Sequence, residues 1–186
     1  MKPVEAAVLA SLGAALTATP ALAQSAPVDQ RPPAAVAVQT ALERVCLPVL
    51  GGKPMKAAAS AAGVQENDSG WWLAAGGKQG VAILPPDSVN PHVCSLTVTY
   101  QAGQGAPLYT LLDRWSADHG LKPVKVKAAS QGATYAHVTS SWEGQTPQGE
   151  MAVVLNAEKG LNGAPAANGE NQATVLLSLT PASHAS

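Results

Sequence analysis

His92-Val93-Cys94-Ser95-Leu96-Thr97-Val98-Thr99-Tyr100 alternates residue by residue. Cys94, Leu96, Val98 and Tyr100 fall on one side of an extended chain, with His92 at its start; Ser95, Thr97 and Thr99 fall on the other. Successive side chains of a strand point to opposite faces, so this stretch is a half-buried strand with Cys94 in the buried set. The same alternation spreads outward from it. Seven strands are expected, near 70–75, 79–85, 92–101, 122–129, 133–142, 149–157 and 172–180. Gly76-Gly77, Pro85-Pro86-Asp87, Asn90-Pro91, Gly132 and the Gly-rich stretches 144–149 and 160–171 separate them.

The inward set is apolar: Val124, Val126, Ala128, Ala136, Val138, Trp142, Met151, Val153, Leu155, Val175, Leu177 and Leu179 join Cys94. The outward set is polar, with Lys125, Lys127, Tyr135, His137, Thr139, Ser141, Thr174 and Ser178 beside the threonines of 97–99. An antiparallel sheet with one face on a core and one in water has this composition. Val93, Val154 and Leu176 are apolar exceptions on the outer face, and edge packing is the reading preferred over a contact surface.

Three helices are expected. Pro32-Pro33 suits a first helical turn, and Val38, Leu42, Val45, Cys46 and Val49 follow at helical spacing until Pro48 and Gly51-Gly52. Thr40 and Glu43 offer a competing later start as a capping box. Pro54 opens a second short helix that Gly63 closes. The clearest helix spans 107–119, with Leu108, Leu111, Leu112 and Trp115 on one face. Gly120 stops it, and Leu121 is placed to fold back onto Trp115. The fold class is therefore α+β: a mostly antiparallel sheet with the N-terminal helices and the central helix on one face.

Residues 1–23 read as an export signal. Lys2 supplies positive charge, 6–16 is apolar, and Ala21-Leu22-Ala23 fits small-x-small cleavage, although Glu5 is unusual in such a segment. A membrane anchor is the competing reading, but Thr17, Thr19 and Pro20 interrupt the about 20 apolar residues a span requires. Residues 24–31 read as a flexible leader, 32–180 as one domain and 181–186 as a frayed tail. The expected location is periplasmic or secreted, with no stable membrane span after processing. In an oxidising compartment Cys46 and Cys94, the only two cysteines, are expected to pair, stapling the first helix to the core face of the sheet. Two separate buried thiols are the alternative; a metal site has no supporting CxxC or HxxxH spacing.

Chemistry is sparse. Lys+Arg total 11 against 12 Asp+Glu, for a net charge of −1, which gives no basic patch for nucleic acid. No GxSxG elbow is present. His119, beside Asp118, suits a helix C-terminus. His92, His119 and His137 lack the spacing of a zinc site. Glu143 reads as a solvated turn acid, and nothing pairs Asp87, Asp113, Asp118, Glu143 and Glu150 across a cleft. Trp71-Trp72 puts one ring inward and one outward, and an outward indole can stack on a sugar or peptide.

Cys46-Leu47-Pro48, the run from Leu84-Pro85-Pro86 through Asn90-Pro91 to Cys94 and Leu96-Thr97-Val98, and Ser141-Trp142-Glu143-Gly144 resemble segments of a family of small exported bacterial proteins. The resemblance covers most of the chain after the signal and implies no activity, cofactor or catalytic residue.

The expected function is that of an exported, non-enzymatic envelope domain binding a protein, a cell-wall component or a small molecule, without a cofactor. The surface singled out for this is Trp72, Tyr135, His137 and Thr139. An envelope hydrolase using His119 or Glu143, and a carrier of an apolar ligand, are the alternatives.

Overall fold

The alternating stretch around Cys94 becomes β4, the fourth strand of a nine-stranded sheet. The structure, a computed structural model, describes residues 32–68, 70–124, 129–131, 135–160 and 170–182. The expected signal at 1–23, the leader at 24–31 and residues 183–186 of the tail lie outside the described residues.

The chain first runs as one helical stretch: α1 (Pro33–Ala41), a π-helical turn (Leu42–Cys46) and α2 (Leu47–Leu50). Pro33 stands where an amide would lack an intrahelical partner, and the Pro32 carbonyl accepts from Ala35 and Val36 at 2.9 and 3.2 Å. The later start at Thr40 does not occur. The Thr40 hydroxyl donates to the Val36 carbonyl at 2.9 Å, one turn back inside the helix. The π turn ends two residues before Pro48, whose ring would clash with the Arg44 carbonyl, four residues back, in an ordinary helix; the wider turn that contains Arg44 relieves this. Leu42, Val45 and Cys46 are thereby all fully buried. α3 (Met55–Ala62) ends at Gly63, with φ 72°.

β1 (Gln65–Asn67), β2 (Gly70–Gly76), β3 (Gln79–Leu84) and β4 (Val93–Gln101) form a meander. α4 (Gly105–Asp118) then carries the chain from the middle of the sheet to its far edge. There β5 (Lys122–Val124) and β6 (Ala129–Gln131) both pair with β7 (Tyr135–Thr146). β8 (Gly149–Gly160) and β9 (Glu170–Pro181) return, and β9 closes onto β4. The order is β1-β2-β3-β4-β9-β8-β7-β5, antiparallel throughout.

The expected seven strands thus become nine for two reasons. β1 is a short exposed edge with no apolar alternation to reveal it. The strand expected at 122–129 is two pieces, with 125–128, including Lys125 and Lys127, outside the described residues. Val124 also lies on the other face from the one its sequence position suggests. It was expected inward but is opposite Ser141 on the outer face and 42 % exposed. The stop of α4 is the cause. Leu121 N–H donates to the Ser116 carbonyl at 2.8 Å and Gly120 N–H to the Ala117 carbonyl at 3.0 Å, with Gly120 at φ 78°. This paired stop turns Leu121 into the core, where it is 4 % exposed, so the residue three further on faces out. The loop expected over 144–149 is also shorter: β7 and β8 remain paired as far as Thr146 and Gly149.

The inner face carries the core. Val81, Ile83, Cys94, Leu96, Val98, Val153, Val175 and Leu177 are buried with α1 and the face of α4 bearing Leu108, Leu112 and Trp115. Trp142 of β7 is 1 % exposed, and its Nε1–H donates to Asp113 Oδ1 of α4 at 2.9 Å. Cys46 and Cys94 are joined, with Cα atoms 5.6 Å apart. The bond staples the π turn to β4, and a formed disulfide fits an exported protein. The run Pro33–Leu50 is long and apolar enough to cross a membrane by length and composition. Here that apolar surface is used inside the domain, with Val38, Ala41, Leu42, Val45 and Cys46 all fully buried.

Candidate functional site

With α1 and α4 on the inner face, the outer face of the sheet presents transverse rows set by strand register. One row runs Gln65–Trp72–Ala82–Thr97–Thr174–Asn156–Thr139, across β1, β2, β3, β4, β9, β8 and β7. A neighbouring row continues the uncharged polar surface as Ala74–Gly80–Thr99–Gln172. On the opposite flank lies Leu84–Ser95–Leu176–Val154–Ser141–Val124. Leu176 and Val154, expected as separate exceptions, are therefore direct cross-strand partners, and Leu84 at 53 % and Val124 at 42 % exposed end their stripe.

Trp72 is held on this face by what Gly80 lacks. A Cβ at Gly80 would lie 2.2 Å from Trp72 Cζ2, 2.7 Å from Cε2 and 2.8 Å from the Leu73 carbonyl oxygen. The six-membered half of the indole therefore occupies the space of a missing side chain, and the ring is half-buried rather than swinging in solvent. A lone glycine within a strand is the sequence mark of such a close approach.

Of the four surface residues expected from sequence, Trp72 and Thr139 share the first row, Thr139 at one end and Trp72 one strand in from the other. Five strand spacings separate them, about 24 Å at about 4.8 Å each, so they do not form one compact pocket. Tyr135 and His137 occupy β7 opposite Gly160 and Glu158, and their side chains lie outside the described residues.

α1 and α4 leave a half-open groove of about 770 Å³. Ala35, Leu111 and Trp115 supply apolar lining; Glu43, Arg114, Asp118 and His119 supply titratable groups. His119 stacks on Trp115, ring centroids 3.9 Å apart and planes at 25°. Its Nδ1 lies 2.7 Å from the Trp115 carbonyl oxygen, an acceptor, so Nδ1 donates. Gln39 Nε2 donates to Glu43 Oε1 at 2.8 Å, orienting that carboxylate. Glu43 belongs to the π turn, a geometry that recurs at functional sites. Finding this groove requires knowing that two helices far apart in the chain become neighbours.

The other candidates are dispersed. Glu143 is exposed on the outer face opposite Lys122 and Ala152. His92 is exposed ahead of β4. Asp113 is engaged by Trp142, and Asp87 Oδ1 accepts from the Val89 and Asn90 amides at 2.8 and 2.7 Å, fixing its loop. Among the described residues, no three His, Cys, Asp or Glu side chains gather as metal ligands would.

Comparison of the chain with protein-family models, with curated proteins and with solved structures returned no match.

Proposed function

We propose that this chain is an exported, non-enzymatic binding module, periplasmic or secreted, whose ligand in the envelope is taken on the open face of the sheet. The observation that carries this reading is the row from Trp72 to Thr139. An aromatic ring seated over Gly80 is followed by Ala82 on β3 and then, from β4 onward, by the hydroxyl and amide side chains of Thr97, Thr174, Asn156 and Thr139, on the face opposite the helices. Such a surface offers an amphipathic anchor beside polar specificity groups. The resemblance to small exported bacterial proteins bears on export alone, since it implies no activity.

The α1–α4 groove favours a second reading, carriage of a small ligand with an apolar body. Its volume falls in the range of about 300–1,000 Å³ common to ligand pockets. The hydrolase alternative has less support. His119 bonds to a backbone carbonyl rather than to a nucleophile, and Glu143 is solvated on the opposite face.

Co-sedimentation of the mature protein with its own envelope fraction tests the proposal. Wild type should pellet, Trp72→Ala and the double variant Thr174→Ala/Asn156→Ala should stay in the supernatant, and Arg114→Ala in the groove should pellet normally. Equal sedimentation of all four proteins, or loss only in Arg114→Ala, overturns the face as the binding site.

A further inference from the structure

We infer that the ligand of the open face is an uncharged glycan chain, the N-acetylated sugar backbone of a cell wall, lying across the strands along the Trp72–Thr139 row. This rests on the binding reading above and narrows it to one chemistry.

The first ground is what the two polar rows contain. Gln65, Thr97, Thr99, Thr174, Gln172 and Asn156 are hydroxyls and primary amides, and among the described side chains of the two rows none is charged; Glu158 and His137, paired beyond the end of the second row, have side chains outside the described residues. Each such group both donates and accepts hydrogen bonds, as sugar hydroxyls and acetamido groups do. A polyanion would call for Lys or Arg, because phosphate binding is dominated by cations. Neither row has one. A lipid surface would call for a continuous apolar face, and these rows are predominantly polar.

The second ground is backbone pairing. The row crosses β2, β3, β4, β9 and β8, each flanked by two partners. Their main-chain amides and carbonyls are committed to the ladder, so an extended peptide cannot add by strand pairing, which is how sheets most often take peptides. Recognition there falls to side chains alone.

The third ground is shape. The indole at one end meets the apolar C–H face of a sugar ring, an aromatic contact of the kind that favours Trp where one side of a ligand is apolar. The row spans about 24 Å across the strands, enough for several linked sugars. The Leu84–Leu176–Val154 stripe runs alongside, two residues further along each strand or about 7 Å away. That stripe is placed to take acetamido methyl groups projecting from the same chain.

Chitopentaose is the probe, titrated into the ¹⁵N-labelled mature protein. Saturable binding should appear, with amide shifts confined to the outer-face rows. Trp72→Ala should weaken binding about tenfold or more, a loss of about 1.4 kcal/mol. The exposed-face variant Thr174→Ala/Asn156→Ala, which leaves the core intact, should do the same. Polyglutamate and an anionic oligonucleotide should not bind. Absence of any chitopentaose shift, or shifts that persist unchanged in both variants, overturns the glycan assignment. If envelope sedimentation still depends on Trp72 in that case, the face binds something other than glycan and the binding reading stands. If sedimentation is also independent of Trp72, both fall.

Discussion

Removal of the Cys46–Cys94 bond has a calculable cost. The cysteines are 48 residues apart in sequence. In the chain-entropy model, closing a loop of about 49 residues withdraws roughly 14 cal/mol/K from the unfolded ensemble, or about 4 kcal/mol at room temperature. Both cysteines are fully buried, and replacing both by alanine also removes two packed sulfur atoms, so the loss should lie at or above this figure. For a domain of this size each kcal/mol moves the melting midpoint by about 2–4 °C, so Cys46→Ala/Cys94→Ala should melt about 8–16 °C below the wild type. Guanidinium unfolding at equilibrium, followed by Trp fluorescence, gives the free energy directly. The slope with denaturant should increase in the variant, because an uncrosslinked unfolded chain exposes more surface. Thiol labelling of denatured, unreduced wild type should find no thiol. Full burial adds a kinetic expectation: reductant should attack the native protein only through unfolding. A loss below about 1 kcal/mol with an unchanged slope would refute the loop-entropy reasoning, since the crosslink would then not be constraining the unfolded state.

Three further outcomes follow from single contacts. Gly80→Ala places a methyl 2.2 Å from Trp72 Cζ2 and 2.8 Å from the Leu73 carbonyl oxygen; overpacking of this kind costs about 1–3 kcal/mol, and a urea melt should show Trp72→Ala relieving only the ring component. Asp113→Ala leaves the Nε1–H of nearly buried Trp142 without its acceptor, for a loss of about 1–3 kcal/mol in the same melt, whereas Asp113→Asn, retaining a side-chain oxygen, should lose less. Gly120→Ala forces a Cβ into the left-handed conformation at φ 78°, costing about 1–2 kcal/mol by thermal melting.

Much of the sheet was readable because its code is local. In Cys94, Leu96, Val98 and Tyr100, and again in Val175, Leu177 and Leu179, period-two patterning states which side is buried, and all seven residues are buried. The disulfide was readable because two separate periodicities, helical around Cys46 and alternating around Cys94, pointed into one core. Val124 shows where locality ends. Leu121 folding back onto the core and Val124 facing inward are incompatible in one regular strand, because the positions differ by an odd number of residues. The Schellman stop decides the parity, and a one-residue change of parity reverses every side chain that follows. The two parts of the candidate site differed in the same way. Trp72 outward was local knowledge. Its alignment with Thr97, Thr174 and Asn156 depends on pairing β4 with β9, strands separated in the chain by the whole of α4 and the four strands β5 to β8.

The staple also bears on where a ligand can go. Cys46 ties the π turn to β4, in the middle of the sheet, while α1 packs over β2, β3 and β4 and against α4. Alanines at 34, 35, 37 and 41, all nearly or fully buried, bring that helix close to its neighbours with little side chain between. Opening the layer between helices and sheet would strain the disulfide and expose Leu42, Leu96 and Val98, each buried completely. A carrier that swallows its ligand between the layers is therefore costly in this fold. Two places need no such opening: the α1–α4 groove, already parted, and the outer face. Of these the outer face alone aligns an aromatic ring with an uncharged hydrogen-bonding row, and that alignment exists only because Gly80 leaves room for Trp72.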